Sequence, residues 1–176
     1  MRESIVHFVF QDWHANAGNS KGRFVLPAYR LAAWFTTRGG MLGLLGKPYC
    51  AIYRVVFAWI LGIELPLRSR VGAGLKLFHG QGLVVHELVE IGSGVVLRHG
   101  TTIGAKAENT HVPRIGNGVD IGSNSVILGD IHLGDGCVVG AGSVVTKSVL
   151  PYSVVAGNPA KVLHTSISGS SVSADA

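Results

Sequence analysis

Charged residues are scarce in this chain of 176 residues, of which 15 are Lys or Arg, 10 are Asp or Glu, and 47% are hydrophobic. Because a disordered chain is rich in charge and poor in apolar residues, this composition excludes that class. Only 6 prolines are present and the 25 glycines do not recur at every third position, which excludes a collagen triple helix. The glycine share, about twice the usual value, favours a β-rich fold with many tight turns.

Cysteine is also scarce, since the chain has only Cys50 and Cys137. Each falls in an apolar stretch, and two isolated cysteines make no disulfide framework. We therefore predict two small buried hydrophobic residues in a protein of a reducing compartment.

A signal peptide and a long uninterrupted hydrophobic run are both missing. The N-terminus lacks the apolar segment and the small-residue cleavage site of a secretory signal. The stretch 49–67 is strongly apolar but contains Arg54 and Glu64, so we predict a buried or membrane-surface helix there. We expect a cytoplasmic protein, located at the inner face of the cytoplasmic membrane if it binds lipid.

Acidic residues are few in residues 1–70, which carry nine Lys/Arg and three Asp/Glu, a net charge of +6. Residues 71–176 carry a net charge of −1. The basic half favours an anionic partner, such as a peripheral membrane contact or a phosphate-bearing substrate, although a solvated basic face explains the same charge. Because zinc-ligand spacings, RNA-binding aromatic motifs and a helix-turn-helix are missing from the sequence, we expect no nucleic-acid partner.

An aliphatic residue recurs at every sixth position of the second half of the chain. The series is Ile91, Leu97, Ile103, Ile115, Ile121, Ile127, Leu133, Val139 and Val145. Neither an amphipathic helix nor an alternating strand has this period. A short flat strand followed by a corner does, and three such hexads close one triangular coil. Stacked coils bury a continuous apolar column, and the residues from 71 to 156 suffice for about five of them.

Two irregularities interrupt the six-residue period. The step from Ile103 to Ile115 is twelve residues long, so we predict that segment 109–114 loops out of the coil. The hexads that precede residue 84 are two residues out of phase with those that follow. We predict that a small insertion within 84–90 absorbs this shift.

The chain divides into three regions by these patterns. Residues 1–62 lack hexads and have apolar residues at helical spacing in 24–37 and 48–61, which predicts a short α-helical segment packed on the start of the β-structure. Residues 63–164 are predicted to form the β-helix. The Ser- and Gly-rich tail, 165–176, is predicted to be disordered.

The repeat region contains the segments GIELPLRSRVGAGLKLFHGQGLVVHE, RHGTTIG, PRIGNGVDIGSNSVILGDI, VGAGSVV and AGNPAK. These segments, which lie within 62–161, resemble the hexapeptide-repeat acyltransferases. The resemblance is to their serine acetyltransferase-like branch, and within it to the colanic-acid-type O-acetyltransferases of exopolysaccharide synthesis. It implies a mainly β fold, a left-handed parallel β-helix. It also implies a homotrimer that binds acetyl-CoA between neighbouring prisms.

His79 is the predicted general base. It interrupts a hexad where any turn residue would suffice, and Gly80 and Gly82 beside it leave room for a substrate. Histidine suits proton transfer from a hydroxyl, and the resemblance places His79 at the catalytic histidine of the serine acetyltransferases. Glu64 lies fifteen residues earlier, close to one eighteen-residue coil, so we predict it near His79, where it would orient the imidazole. A surface histidine and an ordinary interfacial carboxylate are the alternatives.

Two further groups of residues complete the predicted site. The resemblance assigns the CoA site to small corner residues and one cation: Gly104, Ala105, Ser123, Ala141, Gly157 and Lys161. Corner geometry alone explains each glycine equally well. We predict that the acceptor site is lined by Phe78, Glu87, Arg98, His99, His111 and Arg114. Solvated corner residues are the alternative for these side chains.

The acceptor is suggested by departures from the serine-specific pattern. Phe78 stands where serine-specific enzymes carry an Asp, and Val112 stands where they carry a His, with His111 one place earlier. An aromatic ring beside the base suits a sugar better than an ammonium group.

The sequence thus predicts an acetyl-CoA-dependent O-acetyltransferase acting on a sugar hydroxyl of a free, lipid-linked or polymeric glycan. Three alternatives stay open: a serine O-acetyltransferase of cysteine biosynthesis, a non-catalytic β-helix scaffold, and a metal enzyme like the γ-class carbonic anhydrases. The histidines of the repeat region lack the ligand spacing of that last family, so we expect no metal.

Overall fold

A computed structural model describes residues 4–106 and 111–165. The described chain begins with a helical segment and continues as short β-strands. The helices are α1 (Ile5–Phe10), α2 (Ser20–Thr36) and α3 (Gly40–Tyr53), and α3 continues as a π-helix over Arg54–Ile60.

The strands lie in three sheets, which form the three sides of a prism. The first sheet contains β1 (Ile63–Glu64), β4 (Leu83–Val85), β7 (Thr102–Gly104), β10 (Val126–Leu128) and β13 (Val144–Val145). The second contains β2 (Arg70–Val71), β5 (Glu90–Ile91), β8 (Arg114–Ile115) and β11 (His132–Leu133). The third contains β3 (Lys76–Phe78), β6 (Val96–Arg98), β9 (Asp120–Ile121), β12 (Val138–Val139), β14 (Ser153–Gly157) and β15 (Ala160–Thr165).

From β1 to β14, consecutive strands belong to different sheets, and strands one coil apart in the same sheet pair in parallel. β15 instead returns antiparallel to β14 within the third sheet. This is a parallel β-helix, which confirms the predicted fold class, a mainly β chain with a short α-helical segment. Four coils have a strand in every sheet, and a fifth has β13 in the first sheet, a single parallel bridge from Val149 to Leu133 in the second, and β14 in the third. The nine aliphatic residues of the hexad series all face inward, and none is more than 4% exposed. Burying each such side chain contributes roughly 1.5–3 kcal/mol, so the column is the main source of stability.

The strand register locates the first irregularity of the repeat. Val84 pairs with Thr102, which is 18 positions later, as in a regular coil. Phe78 instead pairs with Arg98, 20 positions later. Two extra residues therefore lie between Phe78 and Val84, and the predicted insertion within 84–90 is wrong. The hexad phase could not locate them, because a corner has no inward-facing aliphatic residue to mark its length.

The second irregularity lies where the sequence predicts a loop. Gly104 pairs with Leu128, 24 positions later, which is six more than in a regular coil. Arg114 pairs with His132 at the regular distance of 18. The six extra residues therefore lie between Gly104 and Arg114. The predicted loop 109–114 is only partly described, since residues 109 and 110 lie outside the described residues.

Polar side chains of the helical segment cover the first coil, whose strands β2 and β3 are the edge strands of their sheets. The Asn16 amide donates to the Leu75 carbonyl at 2.8 Å and accepts from the Leu77 N–H at 3.1 Å. The Asp12 carboxylate accepts from the Leu75 N–H at 2.9 Å, and Asn19 donates to the Leu77 carbonyl at 2.6 Å. These side chains replace a preceding strand, because buried backbone groups must be paired.

Arg30 completes this edge. Its guanidinium binds the Asp12 carboxylate at 2.8 Å and donates to the carbonyls of Val71 and Gly72, both at 2.7 Å. Arg30 is 3% and Asp12 2% exposed. A buried ion pair is favourable only when the remaining hydrogen-bonding groups are satisfied, and the backbone of the first coil satisfies them here.

The helical segment joins the prism through residues 61 and 62. The apolar stretch 49–67 is not one helix, because the helix ends at Ile60 and β1 begins at Ile63. Gly62 between them has a φ of 63°, which favours glycine and turns the chain. The division of the chain into residues 1–62, 63–164 and 165–176 stays a prediction. The part of the tail that follows Thr165 lies outside the described residues.

Among the described residues, one helix is long and apolar enough to cross a membrane when judged by length and composition alone, Gly40–Ile60. Core helices of soluble proteins pass the same test.

We expect Asp12→Ala to lower the free energy of unfolding by about 3–5 kcal/mol, because it leaves the Arg30 charge buried and unpaired. Urea unfolding followed by circular dichroism measures the change. The control is Arg70→Ala, which removes a surface ion pair with Glu90 in which Arg70 is 85% exposed. It should cost less than about 1 kcal/mol, and equal losses in the two variants would contradict the role of the buried edge.

Candidate active site

One corner of the prism, between the third and first sheets, carries His79 and three of the six predicted CoA residues. The register places His79, His99, Ser123, Ala141 and Gly157 at this corner of five successive coils. We call this column of five residues the histidine corner. Adjacent coils are about 4.8 Å apart, so the column is about 19 Å long. Its last three side chains are small, which leaves a shallow surface leading away from the two histidines.

His79 lies on the two-residue insertion and has a strained backbone. Its φ is 64°, and the Gly80 N–H donates to the Phe78 carbonyl at 2.8 Å, which closes a three-residue turn around His79. This left-handed conformation costs a non-glycine residue about 1–2 kcal/mol. Gly80 is buried, and a Cβ there would lie 3.1 Å from Ile63 Cδ1. The insertion therefore packs Gly80 inward and holds His79 outward, and such strain is typical of functional sites.

The His79 ring is part of an aromatic and cationic surface. It meets the His99 ring edge to face, with 5.8 Å between the ring centroids. Phe78 beside it is half-buried, and the Lys76 ammonium and the Arg98 guanidinium lie 4.8 Å and 5.6 Å from its ring centroid. The structure thus brings together Phe78, His79, Arg98 and His99, four of the predicted residues.

Arg98 is fixed in place by the next coil. It forms an ion pair with Asp120, and its guanidinium donates to the Ile121 carbonyl at 3.0 Å. Both charged side chains are about one-third exposed, at 31% and 36%. A guanidinium held in this way presents its remaining donors in a fixed direction beside Phe78.

Glu64 lies on the outer face of the first sheet and is exposed. It pairs with Val84, two residues beyond the end of the corner that contains His79. Within residues 4–106 and 111–165, no hydrogen bond or ion pair joins Glu64 to His79. The first coil is 20 residues long rather than 18. The fifteen positions between Glu64 and His79 are therefore five fewer than one full coil. The predicted role of Glu64 stays a prediction.

The other predicted residues lie away from His79. Gly104 ends β7 and Ala105 follows it, at the opposite end of the first sheet. Extending the pairing of β4 with β7 places Glu87 one coil before Ala105. We call Glu87, Gly104 and Ala105 the loop corner, because the looped-out segment containing the exposed His111 starts there. About four residues of strand, or about 13 Å, separate the loop corner from the histidine corner.

Arg114 lies farther away still. It is exposed in β8, on the second sheet, and pairs with Glu90 and His132. A single chain therefore does not bring the loop corner, His111 or Arg114 to His79.

A cleft of about 920 Å³ opens between the helical segment and the first coil. The residues that line it include two acidic ones, Glu64 and Glu87, and three arginines, Arg54, Arg68 and Arg70. These three arginines were not among the site residues predicted from the sequence. The signal that pointed to them was the excess of basic residues in the first 70 positions.

The sequence of the chain is similar to a protein-family model and to proteins that have assigned names. Residues 113–147 match the model of the bacterial transferase hexapeptide (six repeats). The chain is 35% identical over 158 residues to WcaB of Escherichia coli K12, whose name gives it as a colanic acid biosynthesis acetyltransferase. The alignment covers 88% of this chain and 98% of WcaB.

The chain belongs to the hexapeptide-repeat acyltransferases.

Other members of this acyltransferase family are named for serine. Serine acetyltransferase 2 of Arabidopsis thaliana is 39% identical over 146 residues, which are 82% of this chain but only 43% of that protein. The solved structure of a Brucella abortus serine acetyltransferase in complex with coenzyme A has a TM-score of 0.77 and 30% identity, covering 91% of this chain and 68% of that one. Both kinds of relative place the chain in the serine acetyltransferase-like branch.

The two cysteines of this acyltransferase are free and buried, as predicted from their apolar surroundings. Burial raises the pKa of the Cys137 thiol to about 12 and raises that of Cys50 above its usual value. Both thiols are therefore protonated at neutral pH, and neither supplies a thiolate nucleophile. In the described part of the chain, no group of three His, Cys, Asp or Glu residues could hold a metal ion.

We expect His79→Gly to raise the free energy of unfolding by about 1 kcal/mol, because glycine adopts the left-handed conformation without strain. Thermal and urea unfolding measure the gain. His132→Gly is the matched control, since His132 lies in β11 and is not among the residues with positive φ. That change should lower the free energy of unfolding by roughly 0.5–1 kcal/mol. A loss of stability in both variants would show that the His79 backbone stores no strain.

Proposed function

We propose that this chain is an acetyl-CoA-dependent O-acetyltransferase that acetylates a sugar hydroxyl during surface polysaccharide synthesis, with His79 as the general base. The observation that carries the proposal is the position of His79, which is exposed on a strained insertion beside the ring of Phe78. WcaB, which matches over almost its whole length, supports the same class of acceptor.

Phe78 and its neighbours favour a sugar as the acceptor. The face of an aromatic ring packs against the apolar C–H face of a pyranose, and no such ring is needed to bind a small amino acid. Lys76 and Arg98 beside the ring would bind an acidic or phosphorylated group on the sugar. The cleft provides three further guanidinium groups, which would suit the diphosphate of a lipid-linked glycan.

The reaction is a direct transfer. The neutral imidazole of His79 takes the proton of the acceptor hydroxyl while the hydroxyl oxygen attacks the thioester carbonyl of acetyl-CoA. The tetrahedral intermediate collapses to the acetyl ester as the C–S bond breaks, and the imidazolium gives its proton to the departing sulfur, which leaves as CoA thiol and restores the neutral imidazole. No covalent intermediate with the enzyme is required, in agreement with the two protonated, buried thiols.

The histidine corner offers a surface for acetyl-CoA. Its small side chains at Ser123, Ala141 and Gly157 would let the thin pantetheine arm extend along the column from His79. Lys161 is exposed and pairs with Ala156 across the β14–β15 hairpin, one residue from the end of the column. Its ammonium would meet a CoA phosphate as a point charge.

A neighbouring copy would complete the site. Gly104 and Ala105 cannot contact a cofactor on the histidine corner of the same chain, because they lie about 13 Å away along the first sheet. If the loop corner of one copy packs against the histidine corner of the next, all six predicted CoA residues line one groove. Repeating this head-to-tail contact around a three-fold axis closes a homotrimer.

We expect His79→Ala to lower kcat/KM for acetyl transfer by about 10²–10⁴, because the general base is lost. Transfer from labelled acetyl-CoA to purified glycans and to free serine measures both the loss and the acceptor. His132→Ala, an exposed histidine on the second sheet, is the control and should retain activity.

The names of the serine acetyltransferase relatives support a second candidate, O-acetylation of serine. If the protein acetylates serine faster than any glycan, serine is the acceptor and the proposed sugar acceptor is wrong. Full activity in His79→Ala would remove the mechanism. If calorimetry detects no binding of acetyl-CoA, the scaffold alternative holds.

Mixing two inactive variants tests the shared site. We expect His79→Ala and Ala105→Trp to be inactive alone, the second because indole fills the cofactor groove. Unfolding and refolding an equal mixture should restore about a quarter of the wild-type activity, since that share of interfaces pairs two intact corners. A site contained within one chain would give no recovery.

A further inference from the structure

The helix formed by α3 and its π-helical continuation, Gly40–Ile60, carries an exposed apolar stripe. Its members are three or four residues apart, which places them on one face: Met41, Leu45, Pro48, Ile52, Val55 and Trp59. Trp59 is 86%, Met41 77% and Leu45 68% exposed. We call these six residues the apolar stripe. Contiguous exposed apolar surface of this kind marks an interaction site.

The opposite face of the same helix is committed to the protein. Gly46 packs so closely on the Phe35 ring that a Cβ would lie 2.4 Å from it. The Tyr53 hydroxyl donates to the Leu65 carbonyl at 3.2 Å, and the Tyr53 ring stacks on Phe57 with 4.8 Å between centroids. Crossing a bilayer would break these contacts. The helix therefore remains flat on the protein with the apolar stripe facing outward.

The surroundings of the apolar stripe are cationic. From residue 13 to residue 63 the sequence has no Asp or Glu, and the six Lys and Arg of this segment are Lys21, Arg23, Arg30, Arg38, Lys47 and Arg54. Within the described chain, Asp12 neutralises Arg30 alone of these six. Arg38, Lys47 and Arg54 are exposed and line one pocket beside the helix. An apolar face next to cations that have no carboxylate partner in the described chain is complementary to a bilayer surface rich in anionic headgroups.

The charge distribution argues against a second copy as the occupant. A symmetric contact through the apolar stripe would bring Lys47 and Arg54 of two chains near each other, with no carboxylate in the segment 13–63 to pair with them. Such like-charge contacts oppose association. Trp59 points to the bilayer as well, because tryptophan is enriched at the membrane–water interface.

We propose that the apolar stripe docks on an anionic lipid bilayer. The helix lies parallel to the surface, with the apolar stripe at the boundary between headgroups and acyl chains and with Arg38, Lys47 and Arg54 at the level of the phosphates. This docking does not depend on the acceptor or on the chemistry of His79. It would hold the first coil, with its cleft, next to a membrane.

Co-sedimentation of the full chain with two kinds of vesicle tests the proposal. Vesicles of equal parts phosphatidylglycerol and phosphatidylcholine should bind the protein, those of phosphatidylcholine alone should bind it far more weakly, and high salt should release it. Ile52→Glu combined with Trp59→Glu should lower the partition coefficient by at least about tenfold. Lys47→Gln and Arg54→Gln should each lower binding to the anionic vesicles by about fivefold.

Leu150→Glu is the matched control. Leu150 is 71% exposed on the prism, so this variant places the same charge on an exposed apolar position elsewhere and should bind vesicles like the wild type. Circular dichroism and thermal unfolding confirm that each variant is folded. Equal binding by the wild type and the Ile52/Trp59 double variant overturns the proposal. So does a wild type that ignores vesicles but forms concentration-dependent oligomers that Ile52→Glu dissociates, which would assign the apolar stripe to a contact between copies. Because the assay involves no acetyl transfer, its outcome is separate from that of the proposed reaction.

Discussion

Every coil of the prism pairs its backbone N–H and C=O groups with those of the preceding coil. The first coil has no preceding coil, so other parts of the chain must pair with its backbone groups. Asp12, Asn16, Asn19 and Arg30 do so by pairing with the N–H and C=O groups of the edge strands. Two of these side chains are a buried ion pair, which is stable because each charge also meets backbone partners. The helical segment is thus a required cap, and its position fixes which of its faces remain exposed.

The same coil carries the proposed chemistry. Two inserted residues at one corner leave Gly80 inside and His79 outside, and this is the only part of the described first coil with a left-handed non-glycine residue. The corresponding corner of the next coil is two residues shorter. The insertion raises an imidazole beside Phe78 at one end of a column of small residues. The cap, His79 and the cleft with its arginines are therefore concentrated at one end of the prism.

The hexad series was enough to predict the β-helix, because few other folds place an inward aliphatic residue at every sixth position. His79, Phe78 and His99 were also predicted from the sequence as site residues, as interruptions of that series or as neighbours of one, and the structure brings them together. The position of the insertion was not, since corner residues leave no periodic trace. Nor were Asn16 and Asn19 as substitutes for a strand, because their partners lie about 60 positions away in the sequence.

The sequence by itself determined the repeat, its inward column and the chemical character of the candidate residues, because each follows from residue type and local spacing. The tertiary structure alone decided which residues meet. It placed His79, His99, Ser123, Ala141 and Gly157 in one column, and it separated Gly104 and Ala105 from them by the width of a sheet. It also left one face of the helix Gly40–Ile60 uncovered. These outcomes depend on coil length and on packing between distant segments, and local spacing contains neither.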